Sequence, residues 1–309
     1  MAAAVGLALV VVAVAIALVA AGASPSHQSG DDAGSASART AATAPGHAHT
    51  STPAATTPAL RHGPPGTASV PILTYHVIAP APAGAPFPGL YVEPAQFAEQ
   101  MQALKRAGWH PVTLDQVQAY WRHGVALGPG RPVVLTFDNG YQSQYTQALP
   151  VLRRLGWVAD ENIQLTGLPP SQGGLGENEV RGLIAAGWEL DTQGISHADL
   201  VELSGSDLTA QVAGARHTIQ QRFHVPVNWF CYPSGQYDAI VIDTVKAAGF
   251  KGSTTVVPGW ASRTSDPYEL PRLRIAGGTT PAALLSQISS AQSAPAPPSS
   301  YTTSSPGVG

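Results

Sequence analysis

The 309-residue sequence predicts an α/β fold with a parallel sheet and helices outside it, and three observations carry that expectation. From Val70 onward, runs with strand character alternate with runs of helical period. One strand, "RPVVLTF", is apolar without interruption, as expected of a strand covered on both faces. Roughly seven strand–helix units follow one another with no internal repeat, a number that favours closure into a barrel over an open sheet.

The elements can be justified in order. "VPILTYHVI" (Val70 to Ile78) is β-rich and broken by Tyr75 and His76. In "EPAQFAEQMQALKRAGW" the residues Phe97, Met101 and Leu104 fall on one helical face, and Gly108 is a C-terminal stop. "HPVTLDQVQAYWRHG" repeats the scheme, a short strand and then a helix ending at Gly124. After "RPVVLTF" comes a helix containing "LPVLRRLGW", where Pro150 fits only near a first turn or a kink. A helix around Glu177 to Ala186, the strand "WELDTQ" and a long helix from Ser206 to Phe223 follow. "VNWFCYP", "AIVIDTVKAAG", "FKGSTTV", "LPRLRIAG" and "TPAALLSQI" complete the alternation. "VADENIQL" occupies a strand position although it holds three polar residues, for which the sequence supplies no reason.

The domain so defined spans residues 69–288, a length that suits one α/β unit. Residues 1–23 are apolar throughout and end in small residues, which predicts export through a signal peptide or a membrane anchor. Cleaved and anchored forms stay equally open, since no Lys or Arg precedes Arg39. Residues 24–68, rich in Ser, Thr, Ala, Pro and Gly, read as a disordered linker, and residues 289–309 as a disordered tail. A net charge of −3 with 11% charged residues gives no basis for nucleic-acid binding. The single cysteine, Cys231, excludes an intramolecular disulfide and a thiolate zinc cluster, and is expected to be a small core residue.

Three stretches at strand ends hold the groups able to do chemistry: "TFDNG", "TQGISHADL" and "FCYPSGQYD". In a parallel barrel the C-terminal strand ends gather at one mouth, so Asp138, Gln193, His197 and Tyr232 are expected to converge there. His76 is expected to be a structural, hydrogen-bonded histidine.

These stretches resemble the motifs of the polysaccharide deacetylases, the family 4 carbohydrate esterases: T-F-D-D-G, H-[ST]-x-x-H, and a strand ending in an aromatic-Pro-x-Gly turn. "PILTYH", "EPAQFAEQMQALKRAGWHPVTLDQV" and "DPYELPRLRI" are similar to the branch that opens with a Y-H strand. The resemblance covers roughly Val70 to Ile288 and implies a distorted (β/α)7 barrel. It further implies removal of acetyl groups from N-acetylated glycan such as peptidoglycan or chitin. The chemistry would use zinc or another divalent metal held by one Asp and two His. Carried over position by position, the resemblance makes Asp138 the base, paired with Arg272. It puts Asn139, Gln193 and His197 at the metal-ligand positions, and Tyr232, Pro233 and Gly235 at substrate-binding ones.

Only His197 keeps the family's ligand type; Asn139 stands where an Asp is expected and Gln193 where a His is. Neutral amide oxygens are poor replacements for a carboxylate and an imidazole around a dication, so weak or absent metal binding is expected. Asp191, two residues before Gln193, lies on the same strand face and is the nearest carboxylate able to substitute. Cys231 stands where many members carry Arg, and no His follows His224, so the family's late catalytic His has no counterpart. Two functions follow from the resemblance: an exported deacetylase with a weakened metal site, or an inactive relative that binds cell-envelope glycan or a protein partner.

Overall fold

The structure is a computed structural model that describes residues 63–166 and 173–302. The apolar segment 1–23, most of the 24–68 linker and the end of the 289–309 tail lie outside the described residues.

The strands are β1 (Val70–Tyr75), β2 (Trp109–Pro111), β3 (Arg131–Asn139), β4 (Asp160–Ile163), β5 (Glu189–Thr192), β6 (Trp229–Cys231), β7 (Gly252–Thr254), β8 (Trp260–Ala261) and β9 (Leu273–Arg274). Helices α1 (Pro94–Arg106), α2 (Leu114–His123), α3 (Leu149–Leu155), α4 (Glu177–Ala185), α5 (Gly205–Thr209), α6 (Ala215–Phe223), α7 (Ala239–Ala247) and α8 (Pro281–Ser290) are interleaved with them. One curled sheet runs β7-β6-β5-β4-β3-β1-β8, with β2 added beside β3 and β9 beside β1. The pairings along it are parallel except for β8, which lies antiparallel to β1 and has no counterpart in the sequence reading.

The curl is bridged between β7 and β1. Thr254 pairs in parallel with Leu270, the Arg272 amide donates to Val257 O at 3.0 Å, and the chain runs on into β9, where Leu273 lies opposite Leu73. The sheet with this bridge is the seven-staved, distorted barrel that the sequence predicts.

Local chemistry sets the helix limits. Thr113 caps α2 through a reciprocal capping box with Gln116, and Gly124 ends the helix at φ 64°, the left-handed region that glycine enters without strain. Pro150 sits in the first turn of α3, directly after a π-helical turn at Gln144–Ala148, so its missing N–H breaks no bond. The long helix expected from Ser206 to Phe223 is continuous, but a π-helical segment at Ala210–Gly214 separates α5 from α6.

Alternation along β3 divides the molecule. Leu135 and Phe137 face the helices, where Phe137 stacks on Trp188 at 4.9 Å and on Tyr75 at 5.7 Å. Thr136 and Asp138 face the other way, into the barrel. "VADENIQL" follows the same rule: Asp160 and Asn162 point inward, whereas Glu161 points outward into a buried layer. Burial pushes the Glu161 carboxyl well above its ordinary range, with the Asp138 charge adding to the shift. Nothing in the structure explains why an acid stands at position 161.

Both domain edges are corrected. Residues 63–68, assigned to the linker, already pack: the Gly66 amide donates to Tyr120 O at 2.9 Å and Trp121 Nε1 donates to Ala68 O at 2.9 Å. Residues 289–302, assigned to the tail, finish α8 and return to the domain, where Tyr301 and Tyr237 exchange backbone hydrogen bonds at 2.8 Å. Low hydrophobicity hid this strap, because backbone hydrogen bonds and a few contacts such as Tyr301 against the core hold it. Tyr237 Oη also donates to Pro298 O at 2.6 Å. Deleting residues after Ala294 should therefore lower unfolding stability by ~1–3 kcal/mol in urea titrations, since a few net hydrogen bonds are lost against the recovered chain entropy. An unchanged midpoint would mean that the strap contributes nothing.

Candidate active site

Asp138 lies near the C-terminal end of β3, 2% exposed, and Arg272 grips it from the chain entering β9. Nη1 of the guanidinium meets Oδ1 at 2.9 Å and Nη2 meets Oδ2 at 2.9 Å, a bidentate fork. Asn162 Nδ2 donates to Oδ1 at 2.9 Å. Arg272 is itself 1% exposed and also donates through Nε to Thr255 O at 2.7 Å. Burial pushes the Asp138 carboxyl up, but the charge of Arg272, that of His76 and the hydrogen bonds from Arg272 and Asn162 outweigh it and leave it at about 2. Asp138 is thus a fixed anion and a weak base.

Cys231 is buried, as expected of a core residue, yet it also touches the ion pair. Its Sγ lies 3.5 Å from Asp138 Oδ2 and 3.2 Å from Arg272 Nη2. Burial pushes the thiol up to about 12, which removes it as a nucleophile.

Beside Asp138, the backbone turns into the left-handed region at Asn139 (φ 78°), a conformation that Asn and Asp tolerate better than most residues. The Asn139 amide donates to Gln193 Oε1 at 2.8 Å, which ties the end of β3 to the residue after β5. The Gln193 oxygen at the ligand position therefore already serves a backbone N–H. His197 follows in a left-handed turn at φ 55°, partly exposed. Its basicity is lowered by burial, with the Asp138 charge opposing that shift, so it is a neutral imidazole within reach of the Asp138 field.

Two residues of the mouth were not placed there by the sequence reading. His76, one residue past β1, places Nε2 3.9 Å from Asp138 Oδ2, and its Nδ1 is buried without a hydrogen-bond partner. The expected hydrogen-bonded structural role is not what the structure shows. Burial lowers its basicity to about 4 against the pull of Asp138, so it too is neutral. The register held the signal: Tyr75 pairs with Phe137, which puts His76 level with Asp138. Gln144, fully buried, donates from Nε2 to Asp138 O at 2.8 Å and to His76 O at 3.0 Å, clamping the two strand ends together.

Other assignments are corrected. Tyr232, Pro233 and Gly235, expected at the substrate, are all buried. Tyr232 stacks on Tyr237 at 4.8 Å and donates from Oη to Tyr268 O, because alternation along β6 turns Cys231 toward Asp138 and Tyr232 away from it. Asp191 does not stand in for a missing ligand: its Oδ1 accepts from the amides of Asn228 and Trp229, and it lies in a separate cluster with Asp160 and Glu189.

Comparison with known proteins points in one direction. A family model described as polysaccharide deacetylase matches residues 128–253. YxkH of Bacillus subtilis, a protein assigned to the same deacetylases, is 26% identical over 224 residues, 72% of this chain and 77% of its own. The poly-β-1,6-N-acetyl-D-glucosamine N-deacetylase of Escherichia coli is 41% identical over 68 residues, 22% of this chain but only 10% of that protein. Among solved structures, the Streptococcus pyogenes deacetylase PplD, determined with acetate, aligns at a TM-score of 0.65 and 25% identity over 72% of this chain and 99% of its own.

The ion pair yields a stability prediction with a definite sign. Because Asp138 titrates below the ordinary carboxylate range, its contribution is present above about pH 4 and is lost as pH falls through about 2. Arg272→Met should destabilise the fold by ~3–5 kcal/mol at pH 7, as it leaves a buried carboxylate alone. The loss should shrink at pH 3, where the orphaned carboxyl takes up a proton, and Asp138→Asn in the same chain should restore part of it at pH 7. Urea midpoints at the two pH values provide the check, and an equal loss at both would contradict the assignment.

Proposed function

The chain belongs to the polysaccharide deacetylase family, and on that premise we propose that it binds N-acetylated cell-envelope glycan at the Asp138 mouth without metal-dependent hydrolysis. One observation carries this reading: the bond from the Asn139 amide to Gln193 Oε1 at 2.8 Å. A zinc centre draws on Cys, His, Asp and Glu, and an open catalytic one needs three protein ligands. The ligand positions here offer two neutral amides and one imidazole, and one amide oxygen is already hydrogen-bonded within the fold. The residues do not fit the family's metal.

Asp138, held by Arg272 and Asn162, keeps the base-and-arginine arrangement that the family resemblance implies, so the reading rests on the ligand positions and not on this carboxylate. What the mouth retains suits recognition: a fixed anion, two neutral imidazoles and side-chain amides, all able to meet sugar hydroxyl and acetamido groups. Glycan is the ligand class favoured by the kinship with the E. coli poly-β-1,6-N-acetyl-D-glucosamine N-deacetylase. Export, by a signal peptide or through an uncleaved membrane anchor in residues 1–23, places such a binder outside the cytoplasm, in reach of peptidoglycan.

A second reading, an active deacetylase, is favoured by His76 and His197, neutral imidazoles both subject to the Asp138 charge. Three measurements separate the two. The purified domain should carry well under one equivalent of zinc, release no acetate from chitin oligomers or peptidoglycan, and still bind these glycans saturably in calorimetry. Stoichiometric, chelator-resistant zinc with acetate release would overturn the binding reading. Asn139→Asp with Gln193→His supplies the missing anion and imidazole, at the loss of the Gln193 Oε1 bond to the Asn139 amide. It should raise zinc affinity by orders of magnitude. Acetate release should return only in part, because general-acid help, typically worth ~10²–10⁴-fold, still lacks the late histidine. If the folded double variant binds no more zinc than the parent, positions 139, 193 and 197 do not share an ion.

A further inference from the structure

A second group of polar side chains lies inside the barrel, away from the Asp138 mouth. Asp160 opens β4, Glu189 opens β5, and Asp191 follows two residues later on the same face of β5. Asp160 and Asp191 are fully buried and Glu189 is half-buried. The three carboxylates bring oxygens to within 4.8 Å of one another.

One oxygen of each is held by backbone amides. Asp160 Oδ1 accepts from Leu114 N at 2.9 Å and Glu189 Oε2 from Asp115 N at 3.1 Å, both in the first turn of α2. Asp191 Oδ1 accepts from Asn228 N at 3.1 Å and Trp229 N at 2.8 Å, at the start of β6. Helix capping and strand anchoring account for these oxygens. They do not account for the others: Asp160 Oδ2, Glu189 Oε1 and Asp191 Oδ2 are buried with no N–H donor, and the Asp160 and Glu189 carboxyls lie within hydrogen-bonding reach of each other. Buried acceptors without donors are rare and call for a partner. Among the described residues the cation in ion-pair contact with this region is Lys251, and its Nζ is on Asp115 Oδ1 at 2.9 Å, at the rim, not on the three carboxylates.

We infer that Asp160, Glu189 and Asp191 form a binding site for a hard divalent cation of the calcium or magnesium class, separate from the family's metal position. The ligand set is all oxygen, which suits calcium, magnesium or manganese rather than zinc. The spacing agrees. Oxygens at ~2.1–2.6 Å from one ion lie at most ~4.2–5.2 Å apart across it. The ion supplies the missing partner for the three free oxygens and joins the starts of β4 and β5 to the α2 cap and, through Asp191, to β6. Its role is structural, and the rim formed by half-buried Glu189 with Asp115 and Lys251 gives access from solvent.

Terbium luminescence on the intact chain tests this directly, since Trp229 lies against the cluster through its amide on Asp191 and its Nε1 on Asp115 Oδ1 at 3.2 Å. Titrating Tb³⁺ under tryptophan excitation should give emission that saturates at about one equivalent and is displaced by Ca²⁺, and Ca²⁺ alone should raise the Tm of the unaltered protein. In Asp160→Asn with Asp191→Asn, which keeps the amide-bound oxygens, affinity should fall by a factor on the order of 10²–10³, because affinity follows ligand charge. Absence of saturable emission together with an unmoved Tm in the unaltered protein would overturn the site. So would emission that persists undiminished in the folded double variant, which would place the ion elsewhere. None of these readouts involves acetate release, so the outcome is independent of whether the Asp138 mouth is catalytic.

Discussion

The bidentate pair between Asp138 and Arg272 is the constraint on which the interior depends. Both groups are almost fully removed from water, and two ions in that setting are stable only together and with their remaining hydrogen-bonding capacity met. The surroundings meet that demand. Asn162 completes Oδ1, Thr255 O takes Arg272 Nε, and Thr136 Oγ1 lies 3.1 Å from Nη1. Arg272 reaches Asp138 from the chain segment that bridges β7 to β1, so the ion pair and the closure of the barrel are one feature seen from two sides.

That dependence organises the rest. The outer face of the sheet is an aromatic layer of Tyr75, Phe97, Phe137 and Trp188 under the helices, whereas the inner face is apolar at Val70, Ile72, Val134 and Trp229 and polar at Thr74, Thr136, Asp138, Asp160 and Asp191. The strands' period of two keeps these regimes apart within single strands, as Phe137 and Asp138 on β3 or Cys231 and Tyr232 on β6 show. The same alternation resolves "VADENIQL": Asn162 serves the ion pair and Asp160 serves the carboxylate cluster.

Much of this was legible in the sequence, and the limits are instructive. Helix ends at Gly108 and Gly124, the position of Pro150 and the pairing of Asp138 with Arg272 all rest on local or charge-based rules that survive folding. The tight turn after β6 was misjudged because its motif marks where the chain goes, not which way each side chain points; register puts Tyr232 in the core. His76 was missed because its importance comes from lying level with Asp138 across a strand pair, a relation between residues 62 positions apart. The strap at Tyr301 was missed because its composition is that of a linker, while backbone hydrogen bonds to Tyr237 hold it in place.

Charge balance explains how Asn139 and Gln193 can coexist with an intact fold. With the family's Asp at position 139, the mouth would hold two neighbouring carboxylates against one guanidinium, an arrangement that needs a bound cation or a proton. With Asn139 the mouth needs no added cation: Asp138 is matched by Arg272, and His76 and His197 are uncharged. Gln193 then acts as a hydrogen-bond partner, its oxygen fixing the left-handed Asn139 turn that a metal would otherwise help to hold. The two residues are coupled directly, since the Asn139 amide donates to Gln193 Oε1. The charge balance is the opposite at Asp160, Glu189 and Asp191, where three acids face each other and the one nearby lysine is taken by Asp115. The mouth thus holds one matched carboxylate, while the starts of β4 and β5 hold three acids with no matching side-chain cation in ion-pair contact among the described residues.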